Sequence, residues 1–383
     1  MITRVLLALV LGLVAVLAIE LTTQVLATRS QKAWAWLSAE PPLRSDPQLG
    51  YRPNPLYWEH DSNGFRNALV PTQLDVVVLG DSQTYGVNVT RDEAWPQQLA
   101  QLGYVRTYNM GVPGYGPVHS LSLLQEAIAL RPGLIIEAFY SGNDLHDSYA
   151  AVYRRKPLLD RRKPQGAKIL EQKFLTTRSK IGRLLEGVKH QYLDLGSSDS
   201  SKRPRDFNWQ AIRLASRWHG SDYQLVELGD VRTVLRPAYR LRAMDLDDPR
   251  IVEGLRISLE TMQCIQQRAQ AAQVAYAVLL IPAKELVYAD MVPAEARSPV
   301  YAKLLRHSEE LSQLMKAFLE QRDIQVIDAL PVLKASVERQ EPPYFMRRDG
   351  HPNATGHRLI AELVYSAIKR PGEGHAGEPL AHR

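Results

Sequence analysis

Cysteine is almost missing from this chain of 383 residues: Cys264 stands alone. One cysteine excludes an intramolecular disulfide and any zinc or iron–sulfur site built from thiolates. Metal-ligand spacing of the H-E-x-x-H kind is also absent, so neither a metal nor any other cofactor is expected. Glycine (23) and proline (24) are too sparse for a fibrous or low-complexity chain. Internal repeats are lacking. Excess charge is scarce as well, with 47 Lys+Arg against 41 Asp+Glu and a net +6. Segment 151–190 alone carries twelve basic and three acidic residues, so the remainder is slightly acidic. A local basic patch on a near-neutral chain is not a nucleic-acid-binding composition, and no nucleic-acid partner is expected. What is present, 45% hydrophobic and 23% charged residues, is the balance of a globular protein.

One long uncharged apolar run occurs at the N-terminus. Residues 5–19 read VLLALVLGLVAVLAI, preceded by Arg4 and followed by Glu20. Two readings fit: an uncleaved signal anchor, or a signal peptide cut after Val25-Leu26-Ala27. Helix-favouring residues continue through Trp36, with no Gly or Pro between Leu13 and the cleavage position, and this favours the anchor. The expectation is a transmembrane helix over 1–30 that tethers an exported catalytic domain, periplasmic or extracellular, to the membrane.

The rest divides by composition. Residues 31–73 form a stalk and a Pro-rich, irregular leader. Regular alternation then begins, with strands expected at 74–80, 104–109, 134–140, 275–281 and 324–328. Helices are expected from 92 to 102 and at 117–130, 250–272, 302–321 and 354–370. Strands alternating with helices imply a parallel sheet covered on both faces. Five of them imply a flavodoxin-like α/β/α sandwich spanning 74–370. Residues 145–249 are too long for a bare loop and read as a partly helical insertion; 371–383 is a flexible tail. The basic stretch of the insertion is suited to an anionic glycan, to lipid head groups, or simply to a solvated helical face. Cys264 falls on an apolar helical face, suited to the core.

Chemistry-bearing residues cluster at the ends of the strands. Gly80-Asp81-Ser82-Gln83-Thr84-Tyr85-Gly86 follows the first strand, exposing a small nucleophile at the carboxyl edge beside a helix N-terminus. It is not a G-x-S-x-G elbow, because position 84 is Thr. Asn109-Met110-Gly111-Val112-Pro113-Gly114 follows the second strand, and its glycines let backbone N–H groups approach a ligand. Ser141-Gly142-Asn143-Asp144 follows the third and offers a side-chain amide. Asp349-Gly350-His351-Pro352-Asn353 precedes the last helix, the one place where a histidine two residues after a carboxylate is flanked directly by Gly and Pro. Singly, each block reads equally well as a turn. Four of them in order, each at a strand or helix end, make a set.

In that order the sequence resembles the SGNH (GDSL-type) hydrolases, over about 74–147 and 250–370. Asp61-Ser62-Asn63-Gly64-Phe65-Arg66 and Ile281-Pro282-Ala283-Lys284 are similar to membrane-anchored bacterial members. The resemblance implies that Ser82 is the nucleophile and that its own N–H, the Gly114 N–H and the Asn143 amide form an oxyanion hole. It implies His351 as general base with Asp349 orienting it. The family's commoner spacing places two residues between Asp and His; here Gly350 alone intervenes, and a backbone carbonyl is the alternative orienter. Pro352 would fix the loop exit and Asn353 would cap the final helix. Tyr85, Tyr115 and Lys284, at strand ends beside these blocks, are candidate substrate contacts, with packing of the glycine loop as the other reading for Tyr115.

A serine hydroxyl needs an adjacent base, and its tetrahedral intermediate needs preorganised donors. The expected function is a serine esterase acting on a carboxylic ester, an acylated glycan or lipid being the expected partner class. An O-acyltransferase acting on a cell-envelope glycan shares the same first half-reaction. A non-catalytic envelope-binding domain is a third reading, disfavoured by the chemically intact set.

Overall fold

The computed structural model describes Leu11 and residues 41–103, 105–153, 223–228, 231–346 and 348–368. The expected anchor apart from Leu11, the stalk to residue 40, the basic stretch from 154 onward and the tail lie outside the described residues. Among the described residues, no helix is long and apolar enough to cross a membrane.

The chain forms two compact units. One runs to Val70 without Gln48–Gly50; the other holds those three residues and everything from Pro71. The leader is more regular than its prolines suggest, with two paired strands, β1 (Leu43–Asp46) and β2 (Gly50–Pro53). Four residues are too few for an alternating pattern to stand out among prolines. Further along that unit Asp61 organises a turn. Its carboxylate accepts from the Asn63 and Phe65 backbone N–H groups at 2.9 and 3.2 Å and from Asn67 Nδ2 at 3.1 Å.

The second unit is built on a parallel sheet of β3 (Val76–Gly80), β4 (Thr107–Asn109), β5 (Leu134–Tyr140), β8 (Ala275–Ile281) and β9 (Gln325–Asp328). Its order is β4-β3-β5-β8-β9, every pairing parallel. This is the flavodoxin-like arrangement expected from the sequence. The strands are nearly continuous apolar runs because both faces are covered, and every residue of β3 is buried.

The helices are α1 (Ser82–Tyr85), α2 (Trp95–Gly103), α3 (Pro117–Ala129), α4 (Asp144–Tyr153), α5 (Pro237–Met244), α6 (Pro249–Ala271), α7 (Lys284–Val287), α8 (Pro299–Glu320), α9 (Leu330–Glu338) and α10 (Ala354–Ile368). Right-handed crossovers put α2 and α10 on one face, where they pack together, and α3, α6 and α8 on the other. Of the expected insertion, the described flanks form α4, an antiparallel hairpin of β6 (Gln224–Leu228) and β7 (Val231–Leu235), and α5. Cys264 is only half-buried on α6.

Chain direction reverses across β3: the next strand lies on one side, all later ones on the other. Such a switch point opens a crevice at the carboxyl ends of the strands. Ser82, Asn143 and the start of the Gly111–Gly116 loop all emerge there.

Candidate active site

Ser82 follows directly on β3. Asp81 is the N-cap of α1, and its fully buried carboxylate accepts from the Gln83 N–H at 2.8 Å. This cap turns the chain sharply and leaves Ser82, at the first helical position, partly open to solvent. Asn109, at the end of β4, ties the neighbouring loop to the same turn. Its Nδ2 donates to the Thr84 carbonyl and its Oδ1 accepts from the Gly111 N–H, both at 2.9 Å.

Across the sequence, His351 Nε2 lies 3.0 Å from Ser82 Oγ. On the other side of the ring, Nδ1 lies 2.7 Å from Asp349 Oδ1. An ionised carboxylate only accepts, so Nδ1 carries the proton and Nε2 is left bare to take one from the serine. Asp349 Oδ1 also accepts from the His351 backbone N–H at 2.8 Å. One carboxylate oxygen therefore holds both the backbone and the ring of a residue two positions on. This is how a single-residue spacing brings Asp349 to His351, and a backbone carbonyl is not needed.

The loop carrying this pair is itself held at several points. Asn88 Nδ2 donates to Asp349 Oδ2. The Lys284 ammonium, 1% exposed, donates to the Phe345 carbonyl at 2.7 Å and to the Asp349 carbonyl at 3.1 Å. A bridge pairs Tyr344 with Pro352. Asn353 Oδ1 accepts from the Gly356 N–H at 3.0 Å and so caps the start of α10.

The three expected oxyanion donors stand as follows. Among the described residues, neither the Ser82 N–H nor the Gly114 N–H has an acceptor. Gly114 has φ +77°, a conformation that a residue with a Cβ rarely adopts. Asn143 Nδ2 donates to Asp147 Oδ2 at 2.7 Å. An amide nitrogen carries two hydrogens, so this bond fixes the group while leaving one donor free.

Close to Ser82 lies a group of buried carboxyls. Asp81, Glu137 and Asp144 are all fully buried. Burial pushes the pKa of Glu137 up to about 8, opposed by the hydrogen bond from Ser120. Burial raises Asp144 too, and the neighbouring Asp81 adds to it; Asp81 is itself raised by burial and opposed by the hydrogen bond from Gln83 N–H. Mutual repulsion in a dry site favours the neutral acids.

The three expected substrate contacts are all buried. Tyr115 is 1% exposed and stacks on His119 with ring centroids 4.4 Å apart. Lys284 spends its ammonium on the loop carbonyls, and Tyr85 is buried against the turn. Their places at strand ends are as expected, but their side chains point into packing. Asn88, Asp147 and Glu137 also belong to the surroundings of Ser82 and His351, and nothing in the sequence marks them: each is a lone polar residue whose partner is set by the tertiary fold.

Among the described residues, Asp245, Asp247 and His307 form a group with metal-ligand spacing. Lys303 already bridges both carboxylates at 2.9 Å, and His307 Nδ1 accepts from the Leu246 N–H at 2.9 Å. The group is a satisfied ion-pair cluster. A cavity of about 510 Å³ between α8, α9 and the ends of β5 and β8 includes neither Ser82 nor His351 in its wall.

Residues 244–381 match the family described as SGNH hydrolase-like domain, acetyltransferase AlgX. That stretch contains the Asp349–His351 pair and lies beyond Ser82. No curated protein sequence matches the chain. Similar solved structures include a member of the lipolytic protein G-D-S-L family from Veillonella parvula DSM 2008, 13% identical over 78% of this chain and 100% of that one, with a TM-score of 0.35. The acetyl xylan esterase AlAXEase is 10% identical over 77% of this chain and 100% of that one, TM-score 0.37. A GDSL-like lipase from Bacteroides thetaiotaomicron VPI-5482 is 12% identical over 77% and 87%, TM-score 0.34.

Proposed function

We propose that this chain, a member of the SGNH hydrolase family, cleaves carboxylic esters through an acyl-enzyme on Ser82. What carries the reading is one continuous chain of contacts. Ser82 Oγ lies 3.0 Å from His351 Nε2, and His351 Nδ1 lies 2.7 Å from Asp349 Oδ1. In the first step the Ser82 hydroxyl gives its proton to Nε2 as Oγ bonds to the ester carbonyl carbon. The carbonyl oxygen becomes an oxyanion, for which the Ser82 and Gly114 N–H groups and the free Asn143 hydrogen are the donors. Collapse of the intermediate breaks the ester C–O bond, and Nε2–H protonates the departing alcohol. Water, deprotonated by His351, then attacks the acyl-serine and releases the carboxylic acid.

A second reading is favoured by the family description, which names an acetyltransferase. In that case a glycan hydroxyl replaces water in the second step, and the same residues serve. The exported, membrane-tethered setting expected from residues 1–30 fits either reaction on an envelope glycan or lipid. Retention of the chain in the membrane pellet after a carbonate wash tests that setting; a mature N-terminus at Thr28 would overturn it.

The deciding experiment labels the protein with a fluorophosphonate and follows p-nitrophenyl acetate turnover with and without an oligosaccharide acceptor. Ser82→Ala is expected to lose both labelling and turnover while keeping its circular dichroism. Labelling of a different serine would overturn the assignment. Acetylated oligosaccharide as the main product would select the transferase.

A further inference from the structure

Arg240 belongs to none of the sequence blocks that carry the proposed chemistry. It sits on α5, directly after the β6–β7 hairpin, in the stretch expected from the sequence to be an insertion. Yet its side chain is 9% exposed and lies under the site. Nη1 donates to the Gly142 carbonyl at 2.6 Å, the carbonyl of the peptide that leads into Asn143. Nε pairs with Glu285 Oε2 at 3.3 Å, and Glu285 Oε1 in turn accepts from the Arg236 N–H at 3.1 Å. The guanidinium carbon also lies 5.3 Å from the centre of the Tyr140 ring.

Two glycines record how closely this group approaches the loops. A Cβ on Gly142 would stand 2.3 Å from Arg240 Nη1 and 2.4 Å from Tyr140 Cζ. A Cβ on Gly350, the single residue between Asp349 and His351, would stand 2.8 Å from Arg240 Nη2. Gly350 does not have a positive φ, so space around the guanidinium, not backbone strain, is what a side chain there would violate. The same planar group thus bonds one active-site loop with Nη1 and fills the space over the other with Nη2. A flexible ammonium could neutralise Glu285 but could not present two fixed, diverging nitrogens at once.

We propose that Arg240 is a positioning residue that sets the Gly142–Asn143 turn and the Asp349–His351 loop at a fixed separation. It rests on the serine-hydrolase reading of those loops. The substrate does not touch Arg240; its effect is transmitted through the two loops. Because a misplacement of about 1 Å near reacting groups costs on the order of 100-fold, the effect belongs to kcat and not to KM.

The test is a cycle of Gly350→Ala, Arg240→Lys and the double variant, each assayed with p-nitrophenyl acetate and for fluorophosphonate labelling rate. Gly350→Ala keeps every charge and hydrogen-bonding group, so it reports on spacing even where Arg240→Lys fails to fold. It is expected to lower kcat about tenfold or more, with KM within about twofold and with labelling slowed in parallel. In the Arg240→Lys background the added methyl meets no guanidinium, so the double variant should be no slower than Arg240→Lys alone. An unchanged kcat in Gly350→Ala, or losses that simply multiply in the double variant, overturns the positioning role. Failure of the serine-hydrolase reading would look different, with His351→Ala keeping its activity.

Discussion

Replacing Asp349 by Asn tests the carboxylate while conserving its shape. In the structure Oδ1 accepts two hydrogen bonds, from the His351 ring and backbone, and Oδ2 accepts one from Asn88. An amide at position 349 must keep its oxygen toward His351, because an NH2 there would face two donors. The NH2 is then directed at Asn88, whose own amide can turn over and accept, since Asn88 is exposed. Orientation of the imidazole is therefore kept, and what is lost is negative charge beside the imidazolium that forms during proton transfer.

The size of that loss follows from the change in bond type. A hydrogen bond to a charged group contributes about 1.5–3 kcal/mol and a neutral one about 0.5–1.5. The difference of roughly 1–2 kcal/mol corresponds to about a 5- to 30-fold drop in kcat. His351→Ala should lose far more, close to Ser82→Ala, because nucleophile and base act as a unit. Pairing Asp349→Asn with Asn88→Ala removes the acceptor that the amide needs and should deepen the loss. The assay is steady-state turnover of an activated acetyl ester at a pH where the imidazole is neutral. Full activity in Asp349→Asn alongside a dead His351→Ala would refute a role for the carboxylate and leave a Ser–His dyad.

Two further outcomes follow from the same geometry. Asn143→Ala should lower kcat by about two orders of magnitude with little change in KM, since its free amide hydrogen matters only once the oxyanion forms; an unchanged kcat would make the turn structural only. Glu137 is held neutral in the fold by burial, with a pKa of about 8 against an ordinary 4.5. A raised acid stabilises below its unfolded pKa, and that contribution is lost as pH rises through the folded one, here at up to about 1.4 kcal/mol per pH unit. Glu137→Gln should remove this dependence, so its Tm advantage over the parent should widen between about pH 5 and pH 8; parallel Tm profiles would contradict a neutral buried Glu137.

The sheet was legible because burial on both faces leaves a plain signature. LIIEAFY and AYAVLLI became β5 and β8 residue for residue, since a buried parallel strand is a short apolar run between turn residues. The edges were less so: β4 is only Thr107–Asn109, three residues of the six expected, because a strand at the sheet margin pairs on one side only. The helix expected from Asp92 begins at Trp95, since Thr90 and Glu93 close a capping box around a preceding 3₁₀ turn. The places of Ser82, His351 and Asp349 could be read from the sequence because serine, histidine and aspartate stand out between the apolar runs at strand and loop ends. Lys284 could be placed but not assigned. Its position at the end of β8 suggested a substrate contact, and only the fold shows its ammonium turned inward to two carbonyls.

The Asp-Gly-His spacing shows where the sequence stops being informative. Read as a string, one residue between carboxylate and imidazole looks like a shortened motif. In the fold the short spacing has its own geometry, because Asp349 Oδ1 accepts from the His351 backbone and ring together. In that arrangement Gly350 passes close to Arg240, 110 positions earlier in the chain and outside the four sequence blocks. A pairwise distance of that kind leaves no periodicity and no local composition to detect. The glycine is visible in the sequence, while the reason for it is a guanidinium that only the tertiary structure brings within reach.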